Sequence, residues 1–321
     1  MPSPPRLDER AFHRWLHATL TGPARGRLPL GDDCAALPLG GGRVALLTTD
    51  ALVEWTHFLP RSPPGLIGEA AANASLSDLA AKGGTPVALT LDLLLPAETP
   101  ASWARQVVRG ADRAMRRFGG AVVGGDTKVS RTPTVVGTAL GIGRADRLAP
   151  RSGARPGDRL AVTGKVGRGG VAYQRFTSRG PEDRAALAGL LRIAPRLAEG
   201  AALVRFAHAV LDTSDGLADG ARRIAEGSRV EVVVDAASLP LAPPLRATED
   251  GDVPELAFFG GDYELLAAVP PGRFAAARRA VAAAGGRLTD IGEVRRGSKA
   301  LLRNTAGVEA TMPSMGWRPF G

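Results

Sequence analysis

Apolar and polar positions along the chain follow two different spacings, which together predict a mixed α/β protein. Apolar residues three and four apart predict helices over residues 8–20, 68–82, 99–118, 183–207, 217–226 and 274–284. We expect Thr99 to cap the third of these helices and a break near Pro195 to divide the fourth. Short apolar runs predict strands over residues 44–47, 86–95, 121–123, 134–142, 159–163, 210–211, 230–234, 264–269, 288–294 and 300–302. Because helices and strands mix without an evenly repeated βαβ unit, we expect an α/β (α+β) fold of two layered domains, not a barrel or a Rossmann fold.

Two domains also fit the length of 321 residues, which exceeds the usual size of a single core. Residues 144–158 combine glycine, proline and charge at the density typical of a domain connection, so we predict domains over residues 1–148 and 149–321. The chain has no apolar stretch of the kind that a signal peptide or a membrane span needs, and Cys34 is its only cysteine. We therefore expect a cytoplasmic protein with no membrane partner and no internal disulfide.

The formal net charge is +9, and arginine supplies most of the positive charge. A basic total favours phosphorylated ligands or nucleic acid as partners. The basic residues are spread along the chain, aromatic residues make up only 5% of it, and no zinc-finger or zipper spacing occurs. We therefore expect no nucleic-acid partner and assign most of this charge to the solvated surface.

Polar groups with acidic side chains recur where four apolar segments end. They are Gly31-Asp32-Asp33, Thr48-Thr49-Asp50, Gly124-Gly125-Asp126-Thr127 and Asp212-Thr213-Ser214-Asp215-Gly216. Asp and Ser are also favoured N-caps of helices, so the last of these groups, taken by itself, can also be interpreted as a helix cap. Capping alone does not account for four such groups. Asp78 adds a carboxylate inside an alanine-rich helix, where a buried and unpaired charge is costly.

This excess of Asp beside Ser, Thr and Gly suits Mg²⁺, which prefers hard oxygen ligands and is usually shared with substrate phosphates. Several carboxylates that gather Mg²⁺, with an arginine beside them, would support phosphoryl transfer without a G-x-x-x-x-G-K-[ST] loop, which the chain lacks. The chain also lacks protein-kinase motifs, a G-x-S-x-G nucleophile motif and the cysteine and histidine spacing of a zinc site. The residues therefore favour metal-assisted phosphate chemistry.

Eight segments, in the same order along the chain, resemble the thiamine-monophosphate kinases, which belong to a superfamily of ATP-dependent enzymes similar to aminoimidazole ribonucleotide synthetase. The segments are GDDCAAL (31–37), TTDALVEWTHF (48–58), NASLSDLAAKGGTP (73–86), GGDT (124–127), RSGARPGD (151–158), LDTSDGL (211–217), GDYELL (261–266) and GWRPF (316–320). Because they span nearly the whole chain, the resemblance is far more specific than any single motif.

The resemblance implies an enzyme that uses ATP and Mg²⁺ to phosphorylate thiamine monophosphate to thiamine diphosphate by direct in-line transfer. The implied magnesium ligands are Asp33, Thr48, Thr49, Asp50, Asp78, Asp126, Asp212 and Asp215. The implied ATP-binding residues are Gly125, Asp126, Arg151 and Ser214, and the implied catalytic residues are Asp126, Asp212 and Asp215. His57 and Trp317 correspond to positions that line the thiamine phosphate site.

The resemblance also implies the two-domain fold of aminoimidazole ribonucleotide synthetase, with an N-terminal mixed sheet that pairs across a homodimer and a C-terminal α/β sandwich. Two departures lie near the implied acceptor site. The chain reads GGDYEL (260–265) where the family usually reads GGEDYEL, and Trp55 stands where the family has a glycine. Both departures bear on the acceptor more than on ATP.

Other interpretations stay open at the level of the sequence. His57 also fits a core histidine, and Trp317 also fits a tail tryptophan that packs as a lid. The whole chain also fits another ATP-dependent enzyme of the same superfamily with a different acceptor, or a nucleotide-binding regulator without catalysis. The number of acidic groups speaks against the regulator, because a protein that only binds nucleotide does not need so many metal ligands.

Overall fold

The structure, a computed structural model, describes residues 9–20, 22, 27–179, 184–246 and 253–314. The first half of the chain forms a six-stranded mixed sheet. Its strands are β1 (Ala35–Gly40), β2 (Arg43–Val53), β3 (Thr85–Leu95), β4 (Ala121–Gly124), β5 (Thr127–Val129) and β6 (Thr134–Arg144). They lie in the order β1-β2-β6-β3-β4, and β5 also pairs with β3. Among these described strands, β3 runs parallel to β4 and β5, and the other pairs are antiparallel.

Three described helices accompany this sheet: α1 (Glu9–Thr19), α2 (Pro64–Ala81) and α3 (Ala101–Arg117). Helix α2 is buried on nearly every side, and most of its residues are alanine, glycine or serine. It packs against α3, β2 and β6 of the first half and against α6 and β8 of the second half. Small residues allow this approach, because a Cβ at Gly68 would lie 1.9 Å from the Val107 carbonyl oxygen. Helix α2 therefore joins the two halves of the molecule.

The described part of the second half contains a seven-stranded sheet and five α-helices. The strands are β7 (Arg159–Thr163), β8 (Ala209–Asp212), β9 (Glu231–Asp235), β10 (Leu265–Val269), β11 (Leu288–Arg295), β12 (Ala300–Arg303) and β13 (Glu309–Thr311), in the order β13-β12-β9-β11-β7-β10-β8. The helices are α4 (Arg168–Arg179), α5 (Arg184–Leu191), α6 (Leu197–Leu203), α7 (Leu217–Ser228) and α8 (Pro271–Ala283). Strands β8 and β10 are buried along their whole length, which fits the apolar runs over residues 209–211 and 265–269.

The second sheet has a hydrophobic cluster on each face. One cluster combines Leu265, Ala267 and Val210 with α2, α3 and the first sheet, so it is shared by the two halves. The other cluster combines Leu266 and Leu211 with residues of α7. The expected α/β architecture with two sheets is therefore confirmed. Within the described residues, no helix is long and apolar enough to cross a membrane.

Several predicted boundaries differ from the structure for identifiable reasons. Strand β2 continues three residues beyond Asp50, so this acidic group lies inside a strand and not at its end. Residues 28–30 form no strand. Pro100, not Thr99, is the N-cap of α3, and no side chain caps that helix. The break expected near Pro195 does occur, between α5 and α6. The elements β1, β5, β13 and α4 were not predicted, and β5 and β13, with three residues each, are too short to show an apolar period.

Candidate active site

Four buried or half-buried carboxylates meet where the two halves of the molecule join; we call them the acidic cluster. Asp33 lies in the loop before β1, Asp50 in β2, Asp78 in α2 and Asp212 at the end of β8. Oxygens of Asp33, Asp78 and Asp212 all lie within 4.8 Å of one another. The first half therefore supplies three of the carboxylates, and the second half supplies the fourth.

Hydroxyl groups hold these carboxylates in place. Ser77 Oγ donates to Asp212 Oδ2 at 2.6 Å, and Ser214 Oγ donates to Asp212 Oδ1 at 2.8 Å. Thr48 Oγ1 donates to Asp78 Oδ2 in a short hydrogen bond. Ser214 thus serves Asp212 and not the helix that follows, because Gly216 is the N-cap of α7 and no side chain caps it. The helix-cap interpretation of this segment is therefore wrong.

Most carboxylates of the cluster are buried close to one another, and these surroundings disfavour their charged forms. Burial, together with the charge of Asp212, raises the pKa of Asp50 to about 6. Burial and neighbouring carboxylates also raise the pKa of Asp78 well above its ordinary value and raise that of Asp212. In addition, Asp50 Oδ2 is buried, and no group of the described residues donates a hydrogen bond to it. A divalent cation with oxygen ligands fits this environment, because it would compensate the charges that the protein leaves unpaired.

Asp33 is the exception within the cluster. Burial alone would raise the pKa of Asp33, but the charges of Arg151 and Lys82 outweigh burial and lower it to about 2. Arg151 Nε donates to Asp33 Oδ1 at 3.0 Å, and Arg151 Nη1 donates to the Gly31 carbonyl oxygen at 2.9 Å. The predicted ATP-binding arginine therefore lies at the edge of the cluster, with a fifth of its side chain exposed.

Lys82 is a site residue that the sequence did not reveal. It follows the last residue of α2, and its side chain is fully buried. Its ammonium lies 2.6 Å from Asp32 Oδ1 and 2.8 Å from Asp33 Oδ2. A fully buried lysine is rare unless it is paired. The available signal was a single lysine at the end of a helix otherwise made of small and apolar residues, directly before Gly83-Gly84.

Strand β2, which carries Asp50, places the predicted magnesium ligands Thr48 and Thr49 on opposite faces of the sheet. Side chains alternate between the faces of a strand, so Thr48 and Asp50 share the inner face of β2 and Thr49 points to the other face. Thr49 is exposed there, where its hydroxyl lies 3.0 Å from Thr138 Oγ1. The structure therefore brings Thr48 to the acidic cluster and does not bring Thr49 there.

Asp215 lies beside the cluster and lines a small polar pocket. The pocket is lined by Arg151, Leu211, Asp212, Ser214, Asp215, Gly216, Asp219, Gly220 and Arg223. Arg223 Nη2 donates to Asp215 Oδ2 at 2.8 Å. The pocket thus places two guanidinium groups and two of the predicted catalytic carboxylates around one opening.

Asp126 and Gly125 lie away from the cluster in this chain. Asp50 pairs with Gly137 and Gly137 pairs with Leu91 across the sheet, and a Cβ at Gly125 would lie 1.9 Å from the Leu91 carbonyl oxygen. Gly125 is thus three strands from Asp50, a distance of about 14 Å. The Asp126 side chain is exposed and lies 2.9 Å from Lys128 Nζ, and this contact lowers its pKa.

The predicted acceptor residues are described only in part. Trp317 lies outside the described residues. His57 is half-buried in the turn after β2, where its Nδ1 accepts a hydrogen bond from Val53 N at 3.1 Å and burial lowers its pKa. In the same turn Trp55 has a φ of 68° and is 71% exposed. Left-handed backbone is unfavourable for a bulky residue, which explains why a glycine suits this position.

The two acidic side chains of the GDYELL segment form hydrogen bonds within the protein. Asp262 accepts hydrogen bonds from Gly167 N at 2.6 Å and Gly169 N at 2.9 Å, at the start of α4. Glu264 accepts from Thr163 Oγ1 at 2.7 Å and from Arg196 Nε at 2.8 Å. These two buried acids therefore fix the loop before α4 and the segment before α6.

Comparison with known proteins identifies the family of the chain. Residues 31–143 match the family described as AIR synthase related protein, N-terminal domain, and residues 155–302 match AIR synthase related protein, C-terminal domain. The thiamine-monophosphate kinase of Halobacterium salinarum is 38% identical over 275 residues, covering 82% of this chain and 92% of that protein. The thiamine-monophosphate kinase of Synechococcus elongatus is 36% identical over 253 residues, covering 75% and 77%.

A solved structure supports the same relationship in three dimensions. AaThiL complexed with AMPPCP and TMP superimposes with a TM-score of 0.80 and 28% sequence identity, covering 97% of this chain and 95% of that one. The two matched domains together include most of the chain, and the similarity to the curated relatives extends over most of their length. On these grounds the chain belongs to the thiamine-monophosphate kinase family.

Proposed function

We propose that this chain transfers the terminal phosphoryl group of ATP to thiamine monophosphate and so forms thiamine diphosphate and ADP. The observation that carries the proposal is the acidic cluster, in which oxygens of Asp33, Asp78 and Asp212 lie within 4.8 Å of one another in a chain of this family. Phosphoryl transfer needs charge neutralised on the phosphates and the reacting groups held in line, and it needs little covalent chemistry from the protein.

Magnesium fits the cluster because the carboxylate oxygens there are buried and too few positive charges compensate them. We propose that Asp33, Asp50, Asp78 and Asp212 hold it, with Asp215 as a further ligand and Thr48 as a hydroxyl ligand. Asp126, which lies on the exposed loop after β4, would hold a separate magnesium ion on ATP. When bound, magnesium would neutralise the phosphate oxygens of ATP. Thr49 faces the opposite side of β2, so its predicted role as a ligand has no support within a single chain.

The residues of the chain supply orientation. Ser77 and Ser214 fix both oxygens of Asp212, so this carboxylate presents one defined arrangement to its ligand. Arg151 stands at the exposed edge of the cluster with a positive charge suited to a phosphate oxygen. We propose that the pocket between Arg151, Asp215 and Arg223 admits the phosphate end of the nucleotide, and that Ser214 and Gly125 contact ATP.

We propose that His57 and Trp317 recognise thiamine monophosphate. His57 Nδ1 accepts a backbone hydrogen bond, which leaves Nε2 as the donor of the neutral ring. Thiamine carries a cationic thiazolium and a flat pyrimidine, and an aromatic side chain such as Trp317 can stack on either. Since Asp262 and Glu264 are already bound within the protein, the GDYELL segment would act on the acceptor through the shape of its loop.

We also propose that two copies of the chain pair through the first sheet. The face of that sheet opposite α2 and α3 carries apolar residues such as Leu37, Leu47 and Val87, and Leu47 is 42% exposed. An apolar sheet face of this extent is suited to a symmetric partner. Light scattering at micromolar concentration should give the mass of a homodimer, and the mass of a monomer would contradict this arrangement.

The two domains of the proposed enzyme are residues 1–148 and 149–321. The boundary falls in the segment between the two family matches, which end at residue 143 and resume at residue 155. It also falls between β6 and β7, where the described chain forms one 3-10 turn, Ala145–Arg147. The acidic cluster draws ligands from both proposed domains, so neither would be active alone.

Purified protein incubated with ATP, Mg²⁺ and thiamine monophosphate tests the proposed reaction when ADP and thiamine diphosphate are followed together. We expect the two products in equal amounts. ATP turnover without thiamine diphosphate would indicate a different acceptor, and ATP binding without turnover would indicate a regulator. Omission of Mg²⁺ should abolish both products.

A further inference from the structure

Lys82 has the surroundings of a bound cation. Besides Asp32 Oδ1 and Asp33 Oδ2, its ammonium donates to the Ala149 carbonyl oxygen at 3.0 Å and to the Val210 carbonyl oxygen at 2.6 Å. These four oxygens come from the loop before β1, from the connection between the sheets and from β8. The ammonium therefore sits in an oxygen shell assembled from both halves of the molecule, next to the acidic cluster.

The charge of Lys82 is matched to this shell. Burial lowers the pKa of a lysine, but the charges of Asp33 and Asp32 outweigh burial and raise the pKa of Lys82 above its ordinary value. The side chains of Lys82, Asp32 and Asp33 are all 0% exposed, so water does not screen them. Asp33 also binds Arg151 through its other oxygen. Within the cluster, Lys82 and Arg151 therefore both contact Asp33, and Asp50 and Asp78 stay available to a metal ion.

We propose that the Lys82 ammonium is a built-in cation of the acidic cluster, standing where a further metal ion would otherwise be needed to compensate Asp32 and Asp33. The inference deepens the proposed function, on which it rests for the presence of magnesium in the cluster. It predicts that loss of the ammonium makes the folded protein depend on divalent cations more strongly than the unaltered protein does, because two buried carboxylates then lack a partner.

The test compares the unaltered protein, Lys82→Met and Arg196→Met, each melted in EDTA and in rising MgCl₂ at constant ionic strength. Methionine keeps most of the length of Lys82 without its charge. Arg196→Met is the matched control, because it removes the cation from Glu264, a buried carboxylate outside the cluster. Both variants should melt below the unaltered protein in EDTA, since each strands a buried carboxylate.

The response to magnesium separates the two variants. MgCl₂ should raise the Tm of Lys82→Met by at least about twice the rise seen in the unaltered protein, because an ion that binds the folded state more tightly stabilises it more. The rise for Arg196→Met should equal that of the unaltered protein. An equal rise in all three proteins would overturn the proposal, since Lys82 would then be only a structural ion-pair partner.

A second variant keeps the proposal testable if Lys82→Met does not fold. Asp32→Asn leaves the ammonium with one carboxylate instead of two, so more of its charge opposes magnesium. The Kd for Mg²⁺ measured by calorimetry should rise at least about threefold. Asp158→Asn is the control, because Asp158 is buried and binds Arg155 N and His208 outside the cluster. An unchanged Kd in Asp32→Asn would overturn the proposal.

These measurements contain neither ATP nor thiamine monophosphate. A protein that fails to form thiamine diphosphate but shows the expected magnesium responses would refute the proposed reaction and retain the role of Lys82. A protein that forms thiamine diphosphate but shows equal magnesium responses would retain the reaction and refute the role of Lys82.

Discussion

The acidic cluster and the exposed loop that carries Asp126 are both implied magnesium positions, yet their electrostatic states are opposite. In the cluster, burial and repulsion raise the pKa of Asp50 to about 6 and also raise those of Asp78 and Asp212. On the loop, a contact with Lys128 lowers the pKa of Asp126. The same residue type, found in similar sequence motifs, is therefore unstable as a free anion in one place and stable in the other.

This difference shows that a motif can identify a metal ligand but not how much that ligand destabilises the metal-free fold. Carboxylates of the cluster destabilise the metal-free fold and should release that cost when a cation binds. Asp126 carries no such cost, because water and Lys128 already stabilise its charge. Substitutions in the two places should therefore both lower activity strongly, and only those in the cluster should change the stability of the metal-free protein.

The largest effect is expected from Asp212→Asn. Turnover should fall roughly a thousandfold, equivalent to a loss of about 4 kcal/mol of transition-state stabilisation, because a charged ligand held by Ser77 and Ser214 is replaced by a neutral one. The metal-free variant should melt a few degrees higher than the unaltered protein at pH 7, because one repelling charge is gone. Steady-state kinetics and calorimetry check the two parts. Full activity would remove Asp212 from the site.

Asp126→Asn should lower turnover roughly a hundredfold if this exposed carboxylate also holds magnesium on ATP. Its metal-free Tm should stay within about 1 °C of the unaltered protein, because an exposed charge contributes little to stability. Together, Asp212→Asn and Asp126→Asn thus separate the effect of a carboxylate on turnover from its effect on the stability of the metal-free protein. Unchanged turnover in Asp126→Asn would refute its assignment as a catalytic residue and a ligand.

The stability of the metal-free protein should depend on pH through the cluster. Asp50 has a pKa of about 6 in the folded protein and an ordinary value of 3.8, so the folded state binds its proton more tightly. The resulting stabilisation is complete below pH 3.8 and is lost as the pH rises through about 6. Denaturant titrations without metal should show this fall. Asp50→Asn should reduce it, Asp126→Asn should not, and saturating Mg²⁺ should oppose it.

The smallest effect is expected from Arg151→Lys. Lysine keeps the charge but cannot contact Asp33 and the Gly31 carbonyl oxygen together as the guanidinium does. The KM for ATP should rise roughly five- to tenfold, a change of about 1 kcal/mol, while the metal dependence stays the same. A variant with the KM and rate of the unaltered protein would show that Arg151 serves only the loop before β1.

Much of the fold followed from local patterns. Strand β10 is buried throughout and β7 is buried beyond Arg159, and the apolar runs of both predicted them within a residue. Helix α2 was predicted from its small residues, although its start at Pro64 preceded the expected one by four residues. Short edge elements such as β13 escaped because three residues carry no period.

The candidate site was predictable by residue type but not by environment. Sequence motifs indicated Asp50, Asp78 and Asp212, which the structure brings together, but the period of two along β2 should have separated Thr49 from them. The position of Lys82 at the end of an apolar helix was a signal, but its partners could not be predicted, because they come from three distant segments that only the packed fold brings together. The burial that raises the pKa of Asp50 is likewise a tertiary property.

The most direct test of the central claim, that the acidic cluster holds the metal for phosphoryl transfer, is anomalous diffraction from crystals grown with Mn²⁺ and a non-hydrolysable ATP analogue. We predict anomalous peaks coordinated by oxygens of Asp50, Asp78 and Asp212, with a phosphate of the nucleotide on the same ion. Manganese bound to the nucleotide elsewhere, with no peak among these three carboxylates, would contradict the account.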